Sequence, residues 1–182
     1  MTPKPGDYGL VKINGAAGRG ITLGEFLNGD GGFHQIDHAF VYVGDQNQGL
    51  GPASATDRLS NIVEAEPGGA RYGRYQEYDT VIWSQWDLAD TQRDGIVAAA
   101  HTRIGIGYSA ADYFAIAAHR LHLPLPGLRR YVESSGHQIC SQQVDWCYQQ
   151  AGIRLFDDDR WNGYVTPSEL LDCRYGPVEK VR

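Results

Sequence analysis

Two residue types in this 182-residue chain, a cysteine and a histidine about a hundred positions apart, carry the sequence's clearest chemical signal. Residues 137 to 152 read as the lead-in and body of an amphipathic helix that starts at Cys140 and stops at Gly152. A thiol at a helix start sits in the partial positive charge of the unsatisfied N–H groups, which favours thiolate. Residues 37 to 45, Asp-His-Ala-Phe-Val-Tyr-Val-Gly-Asp, read as a strand with His38 at its entrance. A helix-start thiol and a strand histidine are the two halves of an activated nucleophile and its base. In that chemistry Cys140 attacks a carbonyl carbon, its own N–H helps hold the oxyanion, and His38 takes and returns the proton.

The remaining cysteines and histidines compete less well. Cys147, seven residues after Cys140, lies on the same helix face about 10 Å away, too far for a disulfide, and reads as a buried apolar residue. The third cysteine, Cys173, falls in the tail, and no spacing suggests a disulfide framework. The rivals to His38 are His34, His101, His119, His122 and His137. His34 and His38 share a face only on a helix, and the glycine-rich approach argues for a strand. His119 and His122 lack a nearby cysteine or carboxylate at ligand spacing. No metal and no cofactor is expected.

These residues must be positioned by a fold. Pro5-Gly6-Asp7 forms a turn before a short strand, Tyr8 to Ile13, and a loop-like glycine-rich stretch follows, with one helical turn at Leu23 to Leu27. The His38 strand sets His38, Phe40 and Tyr42 against Ala39, Val41 and Val43. Asn61 to Glu66 is a second strand with Ile62, Glu64 and Glu66 on one face, stopped by Pro67-Gly68-Gly69. Asp79 to Ser84 is a third. Three successive strands suggest an antiparallel meander with the His38 and Glu64 side chains on the face that meets the Cys140 helix. Helices are expected from about Asp90 to Ile104, from Ser109 to about Leu121, from Cys140, and after Thr166-Pro-Ser-Glu169, where Pro167 takes the first helical position. The aromatic run Tyr72, Tyr75, Tyr78, Trp83 and Trp86 suits packing better than a cleft. No repeat or linker divides the chain, so one domain over 1–182 is expected, of α+β class.

Composition narrows the function classes. A net charge of −6 gives no basic footprint for nucleic acid. No run reaches membrane-spanning length, and Met1-Thr-Pro-Lys-Pro-Gly lacks the apolar stretch of a signal peptide. The expectation is a cytoplasmic or virion-delivered protein.

The order of motifs resembles a known group. Pro5-Gly6-Asp7, then Asp37-His38-Ala-Phe-Val-Tyr-Val-Gly44-Asp45, then Ile62-Val-Glu64-Ala, then Ile139-Cys140-Ser-Gln is similar to the circularly permuted NlpC-type papain-like cysteine hydrolases. This group includes relatives of lecithin:retinol acyltransferase, and in it histidine precedes cysteine. The resemblance covers most of residues 5 to 172. It implies a papain-like fold, a small antiparallel sheet packed against helices, with Cys140 as nucleophile, His38 as base and Glu64 orienting the imidazole; Glu66 is the alternative. It implies hydrolysis of an amide bond, with bacterial cell-wall peptide the favoured substrate. Acyl hydrolysis or transfer on a lipid-like substrate is a second reading. A non-catalytic module of a phage tail or wall-associated assembly is a third.

Overall fold

In the computed structural model, the described residues are 2–12, 36–45, 60–66, 68–107, 139–157 and 165–176. They form an α+β arrangement of one five-stranded antiparallel sheet and three helices. The strands are β1 (Tyr8–Val11), β2 (His38–Tyr42), β3 (Ile62–Glu66), β4 (Gly69–Gly73) and β5 (Val81–Trp83). The helices are α1 (Asp90–Thr102), α2 (Cys140–Gln150) and α3 (Pro167–Asp172). The helical turn expected at Leu23 to Leu27 and the helix expected from Ser109 to Leu121 lie outside the described residues.

The sheet order is β4-β3-β2-β1-β5. β2 and β3 are antiparallel neighbours, as their patterns suggest, with Phe40 opposite Glu64. The meander then departs from expectation in two ways. β3 stops at Glu66 as expected, but the chain then enters a strand the sequence did not suggest, β4, which pairs back on β3 from Glu66↔Gly69 to Ile62↔Gly73. Gly68 and Gly69 have φ of 114° and 119°, a backbone that glycine adopts without strain. The Asp79–Ser84 segment forms a shorter strand than expected, and it pairs with β1 at the far edge, with Gly9 opposite Trp83. A 3-10 turn at Tyr75–Glu77 lies on the path between the two edges.

That path explains the apolar packing on one sheet face. Phe40, Ile62 and Val11 are buried there, with Tyr42, Tyr75, Tyr78, Val81 and Trp83 packed around them. Gly9 belongs to this face for a steric reason: a Cβ at position 9 would run into the Phe40 ring and Val81. The opposite face carries Tyr8, Leu10, Ala39, Val41 and Val63, and it packs on Ile96 and Ala100 of α1 and Val144, Cys147 and Tyr148 of α2. The aliphatic side of α2 therefore meets the Ala39/Val41/Val63 face, and not the face bearing Phe40 and Glu64 as the strand patterns suggested.

Long-range polar bonds lock the helices to the first strand. The Tyr8 phenol donates to Leu170 O at 2.7 Å, the Tyr148 phenol to Gly6 O at 2.9 Å, and Trp86 Nε1 to Cys173 O at 2.7 Å. Arg93 of α1 reaches Asp7 at 2.8 Å in a largely buried ion pair. The Thr166-to-Glu169 pattern forms a two-way cap on α3: Thr166 N–H donates to Glu169 Oε2 at 2.8 Å, and Glu169 N–H to Thr166 Oγ1 at 3.3 Å.

Candidate active site

Cys140 is the first residue of α2, and its burial is nearly complete at 1 % exposure. The helix start is unusual because the N-cap is Ile139, a residue with no side-chain acceptor. Gln142 reaches back so that its Oε1 accepts Ile139 N–H at 2.9 Å, and Ile139 O accepts Gln143 N–H at 3.0 Å, the first bond of the helix. The positive end of the helix dipole lies at Cys140 and favours negative charge there. The surrounding polar residues are buried with partners: Ser141 Oγ donates to Val165 O at 2.7 Å, and Gln143 Nε2 to Val63 O at 3.1 Å. The latter bond ties the first turn of the helix to the backbone of β3.

His38 opens β2 and is 2 % exposed. Its Nε2 lies 3.1 Å from Glu64 Oε2. A side-chain hydrogen bond also joins His38 to Cys140. Burial alone would lower the imidazole pKa. The charge and hydrogen bonds of Cys140, followed by those of Glu64, outweigh it and push His38 up to about 10. The sequence separation between residues 38 and 140 is thus closed in the fold.

Glu64 is restrained by three side chains, His38, Tyr78 and Arg71. Burial would raise its pKa, but the bonds and charges of His38, Tyr78 and Arg71 hold it below the ordinary carboxylate range. Its Oε2 accepts from the Tyr78 phenol at 2.6 Å, and Arg71 approaches Oε1 at 3.3 Å. Glu66 shares the face but is paired with Arg71 at 2.6 Å. Of the two carboxylates suggested by the sequence, the structure brings Glu64 into hydrogen-bonding contact with His38. His38, Glu64 and Glu66 offer atoms within 4.8 Å of one another, close enough for a cation. Arg71 already supplies positive charge to both carboxylates, so the arrangement is that of an ion-pair network.

The other candidates fall away or lie beyond view. His101 is on α1, where its Nδ1 is 2.9 Å from the Tyr72 phenol and burial lowers its pKa. His34, His119, His122 and His137 lie outside the described residues. Cys147 and Cys173 are free and buried; burial pushes their thiols up to about 12 and about 11. Neither has the environment of a reactive thiol.

Of three residues that surround Glu64, Arg71 and Gly73 carry no mark in the sequence patterns, and Tyr78 stands out there only as one of an aromatic run read as packing. All depend on the β3–β4 hairpin or the crossing that follows it. The glycine pair at 68–69 with alternation beyond it was the one available signal of that hairpin. Gly73 is placed by close approach, because a Cβ there would collide with Glu64 Oε1. Gly73→Ala should therefore displace the carboxylate and lower turnover roughly tenfold while leaving the sheet formed. In a Glu64→Gln background the same change should add little, and a double-mutant cycle on catalytic rate checks this.

Glu64→Gln has its own signature. An amide oxygen still accepts from Nε2–H, but the negative charge is gone. Turnover should fall by roughly one to two powers of ten, less than the ~10⁴ that follows loss of the correct imidazole tautomer in related chemistry. Because Glu64 adds to the larger effect of Cys140 in raising the His38 pKa, the alkaline limb of the rate profile should move down from about 10. The stability signs follow from the same shifts. The Glu64 contribution is present above about pH 4.5 and is lost as pH falls through its depressed value. The His38 contribution is present below about pH 6.5 and is lost as pH rises through about 10.

Among the described residues, no helix is long and apolar enough to cross a membrane. No protein-family model matches the chain, and no curated protein matches it in sequence.

Proposed function

We propose that the protein is a cysteine hydrolase that cleaves an amide bond through a thiol acyl-enzyme. The observation that carries this reading is one imidazole held between the Glu64 carboxylate and the Cys140 thiol, with that thiol on the first turn of a helix. In the proposed cycle Cys140 reacts as thiolate, paired with the His38 imidazolium. Sulfur adds to the substrate carbonyl, and the oxyanion forms beside the first-turn N–H groups of α2. The tetrahedral species collapses to a thioester as His38 passes its proton to the leaving amine. Neutral His38 then takes a proton from water, hydroxide adds to the thioester, and the second collapse returns the thiolate and the imidazolium.

The resemblance in motif order supports peptide of the bacterial cell wall as the favoured substrate. Incubation with purified wall peptides and mass spectrometry of the products tests it directly. Cleavage at one amide bond, lost in Cys140→Ala, is the expected result. Intact peptides together with turnover of long-chain acyl esters would shift the reading to lipid-like acyl chemistry.

The near-complete burial of Cys140 favours one other reading, a binding or structural module that keeps the constellation without turnover. A Cys140 inert toward small electrophiles would support it.

A further inference from the structure

We propose that Tyr78 is a positioning residue of this site, its phenol O–H fixing the Glu64 carboxylate and keeping it anionic opposite His38. The inference rests on the thiol reading above and adds to it a fourth side chain.

The geometry is specific. Tyr78 donates to Glu64 Oε2 at 2.6 Å, and this is the same oxygen that faces His38 Nε2 at 3.1 Å. Two donors on one oxygen fix where that oxygen sits, and so fix the direction in which the imidazole is pulled. The ring is held as firmly as the hydroxyl. It stacks on Phe40 at 5.5 Å with 17° between the planes, and it lies 6.0 Å from the His38 ring at 44°. Its backbone N–H closes the 3-10 turn on Tyr75 O at 3.1 Å. Tyr78 thus packs against the imidazole and binds the group that orients it.

The other groups facing Glu64 do not duplicate this. From β2 comes His38 itself, and from β4 comes Arg71, whose side chain is 57 % exposed and shared with Glu66 on β3. An exposed guanidinium is screened by solvent and holds position weakly. Cys140, from α2, acts on Glu64 through His38. Tyr78 is a directional, partly buried partner that reaches Glu64 from outside the His38 pair. It also remains a donor across the working pH range, because burial and the neighbouring Glu64 raise its own proton loss well above the usual phenol value.

A purely packing role is the alternative, and Tyr78→Phe separates the two because it keeps the ring on Phe40 and removes only the donor. Loss of a donor to an anion raises the proton affinity of that anion. The acid limb of Cys140-dependent turnover, or of Cys140 alkylation, should rise by about one pH unit, with a rate loss of roughly three- to tenfold at neutral pH. In NMR spectra the His38 Nε2–H proton should move downfield, since its competitor for Oε2 is gone. Tyr78→Leu should show the same acid-limb shift together with a lower melting temperature. A Tyr78→Phe profile and a His38 signal that both superimpose on those of the parent would overturn the proposal, whatever its melting temperature. That outcome leaves the thiol reading intact if Cys140→Ala still abolishes turnover. A parent whose Cys140 neither turns over substrate nor alkylates faster than Cys147 and Cys173 would remove both.

Discussion

Cys140→Ala is expected to eliminate turnover, with a loss on the order of 10⁴ or more, because no other group can form the thioester. The folded protein should survive the change, since the aliphatic face of α2 is built from Val144, Cys147 and Tyr148. Cys147→Ala and Cys173→Ala should behave in the opposite way. Each removes a buried sulfur at a cost of about 1 kcal/mol of stability, while catalysis persists. Parallel rate and thermal-unfolding measurements on the three variants check the pattern. Turnover surviving in Cys140→Ala, or lost in Cys147→Ala with the fold intact, would relocate the nucleophile.

The second large effect belongs to His38. His38→Ala takes away the group proposed to accept and return the thiol proton, and the expected loss is about 10² to 10⁴ in catalytic rate. It also removes the imidazolium that stabilises a Cys140 thiolate, so alkylation of Cys140 should become steeply pH-dependent and slow at neutral pH. Added imidazole, small enough to occupy the vacated space, should restore part of the rate. His38→Ala indistinguishable from the parent would transfer the base role to another histidine. Buried Glu64 would keep Tyr78 and Arg71 as partners, so the variant is not left with an uncompensated charge at that position.

Much of this site could be read from residue order because its parts are local. The Cys140 helix begins where a free cysteine is followed by Val144, Cys147 and Tyr148 at helical spacing, and the structure starts α2 at that residue. The His38 strand alternates cleanly, and β2 begins at His38. Glu64 falls opposite Phe40 because both neighbouring strands have a period of two. Periodicity could not supply the path of the chain after Gly73. The order of strands β4-β3-β2-β1-β5 depends on a crossing over the Phe40 face, and that crossing is stabilised by Tyr78 and Trp83 packing on Phe40, a tertiary effect. The face that meets α2 is not legible in the sequence for a related reason. The first turn of α2 is buried all round, with Ser141, Gln142, Gln143 and Asp145 enclosed as well as the apolar side, so its pattern does not tell which sheet face it covers. Those polar side chains are tolerated because backbone and side-chain partners satisfy them, as Val165 O does for Ser141 and Gln149 Nε2 for Asp145.

If Cys140 is a thiolate nucleophile made by His38 and Glu64, as proposed, the alkylation rate of each cysteine against pH will show it. The folded protein is treated with a small electrophile from pH 4 to 10.5, and peptide mapping separates Cys140 from Cys147 and Cys173. Cys140 should react fastest and show substantial reactivity below about 8.5, the ordinary thiol value. A change is expected near pH 10, where His38 loses its proton, and Glu64→Gln should move that change downward. Cys147 and Cys173 should react only as the fold is lost. A Cys140 that reacts no faster than the two core cysteines, or whose profile is unmoved by Glu64→Gln, would contradict the account.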